Sequence, residues 1–510
     1  MSFSNPDNRN FDFPYQGTGF DAEVAHTNAQ RRRGGWCFCG CCSGCLLLIL
    51  LFILGIVVLG YSLFSGGVPL IVSEETTVIV EPLKSNGESV DFHEAIREMT
   101  GQNIQLNENA FMIIWRGYSH EIFASYDQED LRRQYLVMCD QFGIDPLGRS
   151  LWSLPKRTPP TTNAQWLAEV KEGLDAVQNA VAKPHYFIPL ARDRESDLVI
   201  MSQPLAIYAF HGQLSEALHI RADIKSASGD IAGAWQDTLA SIRLFRRATI
   251  NHAWTLTLGA KDNESLLTPV TSILPTLSQW TPEQLEQAVK DLESLPDWTD
   301  RKTMIRTIQF TVLDMLSATN DLPGLGSRLG KELPTGAQDV LQLIQSIGFD
   351  WNLVAKELNQ EMRVYGELLE KVSGSSPDEQ FKQLDLRLSG VPFRMPNEEE
   401  WKEFTVEHVN RTGEFPLFVV GRSKLVGAIA GFWATRMVGE MYRLQLMEES
   451  RCQALRLALT LERFHKEKGQ YPDSLEELKL KPVTPDMHLQ YEKRETGYRI
   501  ENVVVQLEKR

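Results

Sequence analysis

From Cys45 to Phe64 the chain reads CLLLILLFILGIVVLGYSLF, twenty residues without one charge. Twenty helical residues rise about 30 Å, the thickness of a hydrocarbon core. In lipid only a helix satisfies the backbone groups of such a segment. A cleaved signal peptide is the competing reading and fits poorly. More than forty residues precede the run, the run is too long, and no small-x-small cleavage site follows it. The segment therefore predicts one transmembrane helix, a single-pass signal anchor with the lipid bilayer as its partner.

Orientation follows from the basic residues. Arg31, Arg32 and Arg33 stand before the run; after it, Glu74 and Glu75 come sooner than the first cation, Lys84. The positive-inside rule then puts the N-terminus in the cytoplasm and the body from about Val68 onward outside it, on the periplasmic side of a bacterial envelope. Five of the seven cysteines, Cys37, Cys39, Cys41, Cys42 and Cys45, crowd the edge of the run. Metal binding and acylation are the sharp readings. The cluster has neither a second CxxC pair some way off nor histidine partners, so small, soft residues at a reducing interface explain it best. Cys139 and Cys452 are alone in the body, among apolar neighbours on helical patterns, and read as free and buried rather than as a disulfide.

A chain of 510 residues suffices for two or three domains. The net charge is −15, and residues 1–64 hold four Arg against four Asp or Glu, so the acidity belongs to the body. An acidic body repels phosphate backbones and anionic lipid surfaces, which excludes nucleic acid as a partner class.

The pattern divides into five stretches: a flexible cytoplasmic tail (1–36), the Cys-rich segment and membrane helix (37–66), a small α/β or helical region (67–160), a helical body (161–415), and a C-terminal part (416–510). The fold class is mainly α, one transmembrane helix carrying a helical, solenoid-like body of hairpins. Thr76–Val80 (TTVIV) predicts a short N-terminal strand, and Ser85–Gly87 a turn. Gln165–Val181 is amphipathic at steps of three and four. Pro204 to about Ser226 and Ile231–Ala248 form a helical hairpin turned at Ser228-Gly229-Asp230. Thr281-Pro282-Glu283-Gln284 is a capping box, with its helix ending near Leu292. A long helix runs from about Leu425 to Lys466; its Gly427 and Gly431 suit close packing in water, because Arg422, Lys424 and Arg436 exclude a membrane span. Gly469 stops it, Ser474 and Glu477 cap a short helix, and Leu489–Lys493 with Tyr498–Val505 predict a small C-terminal hairpin around Gly497.

No catalytic signature emerges. Gly324–Lys331 (GLGSRLGK) has its first glycine one residue too far from Gly330 for a phosphate loop, and Glu332 replaces the Ser/Thr. His93-Glu94 and His120-Glu121 lack the second histidine of a zinc helix. Ser153 and Lys156 have SxxK spacing, but Pro155 breaks the turn between them. Among the ten histidines, His185 in PHYFIPL is the one weak ligand candidate, against a simple packing role. No catalytic residue, metal or cofactor is expected.

Six phrases together resemble a family of large, membrane-anchored, uncharacterised proteins of planctomycete bacteria. They are TTVIVEPLKSNGESVDF (76–92), LNENAFMIIWRG (106–117), PHYFIPL (184–190), GDIAGAWQDTLASIRL (229–244), WTPEQLEQAVKDLESLP (280–296) and LERFHKEKGQYPDSLEEL (461–478). The resemblance brings no activity and no site residue. The last phrase is also similar to the C-terminal part of type II secretion pseudopilins, where a long helix precedes a GxYP turn. The best reading of function is a membrane-tethered, extracytoplasmic interaction or structural protein without catalysis. The alternatives are an envelope enzyme, hydrolase-like, with a site of scattered residues, and an accessory component of a secretion or pilus-like assembly.

Overall fold

The computed structural model describes residues 68–84, 87–100, 108–124, 151–152, 163–187, 205–251, 273–298, 300–318, 349–372, 419–478, 489–495, 497–501 and 506–509, with isolated positions between them. All belong to the compact unit Gly60–Arg510. The chain is mainly helical. The helices are α1 Phe92–Thr100, α2 Ala110–Ala124, α3 Asn163–Val181, α4 Leu205–Ala227, α5 Ile231–Asn251, α6 Pro282–Glu293, α7 Arg301–Ala318, α8 Trp351–Val372 and α9 Val419–Lys468. A three-stranded antiparallel sheet, β1 Gln490–Lys493, β2 Tyr498–Glu501 and β3 Gln506–Lys509, closes the chain in the order β1-β2-β3.

The membrane expectation needs correction. No helix among the described residues is long and apolar enough to cross a membrane, and α9, the longest, is interrupted by charge throughout. The run Cys45–Phe64, the cluster Cys37–Cys45 and the tail 1–36 lie outside the described residues, as do the phosphate-loop look-alike at 324–331 and the pair Ser153 and Lys156. The transmembrane, single-pass and signal-anchor assignments are therefore without support in the structure.

The N-terminal strand is a second correction. Residues 74–77 form a turn, and Val78 takes φ +68. The hydroxyls of this segment bond their own backbone instead of leaving it free to pair. Ser73 N donates to Thr77 Oγ1 at 3.1 Å, and Thr77 Oγ1 donates to Ser73 O at 2.8 Å. The carbonyls of Glu75 and Thr76 both accept from Asn359 Nδ2 of α8 at 3.0 Å. A helix side chain thus supplies what a neighbouring strand would have given.

Other local signals hold. The α4–α5 hairpin turns at Gly229, whose φ of +87 suits a residue without Cβ; Asp230 N closes the turn on Lys225 O at 2.9 Å, and Asp230 Oδ1 caps α5 by accepting from Gly233 N. Thr281 and Gln284 form the reciprocal capping box of α6. The expected C-terminal hairpin is present as β1 and β2, extended by β3.

α9 has fifty residues and so runs about 75 Å. One apolar core includes its first half: Ala434, Met437, Val438, Met441 and Tyr442 share it with residues of α1, α2, α3, α7 and α8. A second core gathers around its last third: Cys452, Leu455, Ala458, Leu459 and Leu461 meet α6, Trp280, Tyr471 and β2. Gly427 and Gly431 let α8 approach closely. A Cβ on Gly427 would stand 2.5 Å from Val354 O, and one on Gly431 would stand 2.6 Å from the Glu361 side chain.

Candidate functional site

The polar side chains that could do chemistry lie at the seams between helices. His185, the residue singled out by sequence, does not join any of them. Its side chain is exposed, and its backbone pairs with Asn109, with Ala110 N donating to His185 O at 3.0 Å. Asn109 stitches this loop down. Its Nδ2 donates to Phe187 O at 2.6 Å, and its Oδ1 accepts from Phe187 N at 2.9 Å. The histidine of the same neighbourhood that is buried is His211 of α4, whose Nε2 is hydrogen-bonded to Tyr186 Oη.

The α4–α5 seam carries two polar clusters. In one, Ser215 Oγ and Ser241 Oγ lie 2.5 Å apart, and Ser241 Oγ lies 2.6 Å from His219 Nε2. Burial pushes His219 down to about 4, so its ring is neutral near pH 7 and free to accept from the hydroxyl. In the other, Arg221 grips Asp237 through Nε, 2.9 Å from each carboxylate oxygen, and reaches Asp175 Oδ1 with Nη1 at 2.8 Å. Lys225 Nζ stands 2.9 Å from Asp237 Oδ2, and Gln178 Nε2 also donates to this carboxylate. Arg221 and Asp237 are both buried, and α3, α4 and α5 meet through them.

A third cluster occupies the stretch of α9 between its two cores. Arg246 of α5 donates to Glu449 Oε2 at 2.8 Å and to Pro296 O at 3.3 Å, and it covers the Trp298 ring at 4.9 Å. Trp298 Nε1 donates to the same Glu449 oxygen at 3.2 Å. Glu448, buried, accepts from the Cys452 thiol at 3.4 Å. Burial pushes the Glu448 carboxyl up to about 7, against the opposing pull of Arg246. Burial, with Glu448 beside it, holds the Cys452 thiol well above the usual range, so it is a poor nucleophile. Cys139 and Cys452 are both buried and in no disulfide, as their apolar settings suggested.

At the C-terminal end, Tyr471 covers the end of α9. It stacks on His465 with ring centroids 4.4 Å apart and donates to the buried Glu462 at 2.9 Å. Burial, reinforced by Glu462, raises both Tyr471 and Tyr498, so both phenols stay protonated near pH 7.

Sequence reasoning found Cys452, the GxYP turn and the hairpin turn. It did not single out His219, Ser241, Asp237 or Glu448. Glu448 and Cys452 stand at i and i+4, a spacing visible in the sequence, but their partner Arg246 lies some two hundred residues away. Among the described residues, no group of His, Cys, Asp and Glu is arranged to hold a metal ion. Compared with known proteins, the chain matches no family model, no curated protein and no solved structure.

Proposed function

We propose that the chain is a helical interaction or structural protein, a scaffold of helical hairpins around one long helix that works without catalysis. The observation that supports this reading is the placement of its chemistry-bearing groups. Ser215, Ser241, Arg221, Asp237, Glu448 and Cys452 are buried between helices and spent on one another. They act as cross-links, the use to which buried polar networks are put when they fix one packing arrangement. An enzyme of this kind would instead present convergent titratable groups to a substrate.

A hydrolase remains the second reading because of one contact, the 2.6 Å between Ser241 Oγ and His219 Nε2, which has the spacing of an activated nucleophile. One experiment separates the two. The full-length protein is treated with a fluorophosphonate probe and mapped by mass spectrometry, while the same protein is cross-linked in its native cells. The scaffold reading expects Ser215 and Ser241 to stay unlabelled and a discrete cross-linked complex to form through exposed helix residues. Stoichiometric labelling of Ser241 that is lost in His219→Asn would establish the hydrolase instead.

A further inference from the structure

Along α9 the apolar core of the first half ends at Tyr442 and that of the last third begins at Cys452. Between them the buried positions are Leu444, Gln445, Glu448 and Ser450, three polar residues of four. This is the place where α9 is joined to α5 and to the 294–298 segment, through Phe245, Leu444, Trp298 and Met447. A stretch with buried polar groups, crossed by this small apolar contact, therefore lies between the two larger cores along the helix.

The charges facing Glu448 in this stretch are few. From α5 comes Arg246. From α9 itself come Glu449, Arg451 and the Cys452 thiol. From the 294–298 segment come the Trp298 indole and the Pro296 carbonyl, both on Arg246 and its carboxylate partner rather than on Glu448. Arg246 already donates to Glu449. An ionised Glu448 would draw on Arg246 as well as on Arg451, and so would compete with Glu449 for the guanidinium that α5 brings to α9, at the desolvation cost of a buried charge. A protonated Glu448 asks for no cation and leaves the Arg246–Glu449 contact intact.

We infer that Glu448 is a proton-operated joint, which couples the two cores of α9 when protonated and loosens the α5–α9 seam when ionised. The buried carboxyl is held up to about 7, so the joint responds across mildly acidic to neutral conditions. This goes beyond the scaffold reading and does not depend on it; a protein with either activity could carry the joint.

The test uses the full chain with carbon-13 in the glutamate carboxyls. The Glu448 resonance is the one absent from Glu448→Gln. It is expected to titrate near 7, while exposed glutamates titrate near about 4.3. Hydrogen exchange of the 444–452 amides, corrected for intrinsic base catalysis, is expected to speed up between pH 6 and 8 and to lose that step in Glu448→Gln. Glu449→Gln, which frees Arg246 for Glu448, is expected to move the midpoint to lower pH. A Glu448 midpoint in the ordinary carboxylate range, or an exchange step that persists in Glu448→Gln, would overturn the inference. Should Glu448→Gln fail to fold, the midpoint shift in Glu449→Gln decides it, and no shift counts against the joint.

Discussion

Asp237 and Glu448 are both buried carboxylates, and the chain surrounds them in opposite ways. Asp237, in the α4–α5 seam, is met by Arg221, Lys225 and Gln178. Glu448, in the α5–α9 seam, is met by a thiol, and the guanidinium that α5 brings also serves its neighbour Glu449. The first seam is closed by charge pairing; in the second, burial pushes the carboxyl up to about 7. The difference shows that burial alone does not fix what a carboxylate does. The count of cations delivered by the partner helices decides it.

The comparison breaks most visibly if Arg221 is removed. Arg221→Met leaves Asp237 buried with a weakened shell and is expected to lose roughly 3–5 kcal/mol in denaturant unfolding. Replacing both residues by apolar ones of similar volume should recover most of that loss. A small effect of the single change would mean that the seam does not depend on the pair.

The neutral strut of the same seam predicts a pH dependence of its own. His219 is held at about 4 in the folded state against an ordinary 6.5. The unfolded chain therefore binds more protons between these values, and stability falls as pH drops from 6.5 through 4, by about 3 kcal/mol in total. His219→Asn is expected to flatten that acid limb in thermal denaturation. A smaller effect is expected at the α8–α9 contact, where Gly427→Ala must displace the Val354 carbonyl. It should lower stability by about 1–3 kcal/mol, read as a fall in Tm.

How much of this was legible depends on how local each signal is. The capping box at Thr281, the Gly229 turn and the Gly469–Tyr471 stop are written within a few residues, and the structure has them all. α8 was open to reading too, since Trp351, Val354, Ala355, Leu358, Met362, Tyr365 and Leu369 fall on one helical face, yet within the helical body expected over 161–415 no separate helix was assigned there. α7 was not. Its run of Thr303, Ile305, Thr307, Ile308, Thr311 and Val312 is rich in β-branched residues, and it is helical because nearly its whole circumference is buried against α1, α8 and α9. The strand expected at 76–80 fails for the converse reason: its threonines find backbone partners locally and α8 takes its carbonyls. The seam clusters were illegible because each depends on partners from different helices, and His185 drew attention only through its prolines and aromatic neighbours.

The most direct test of the contrast between the two seams is the unfolding free energy of the parent protein and of Glu448→Gln from pH 4.5 to 8. The folded state keeps Glu448 protonated to about 7, whereas the unfolded chain releases that proton near 4.5. Between those values the folded state binds more protons, so this group makes stability fall as pH rises and adds nothing further above about 7. The account predicts that the gap between the two proteins shifts by about 3 kcal/mol in favour of Glu448→Gln across that window, then stays level. A gap that does not change with pH would contradict it.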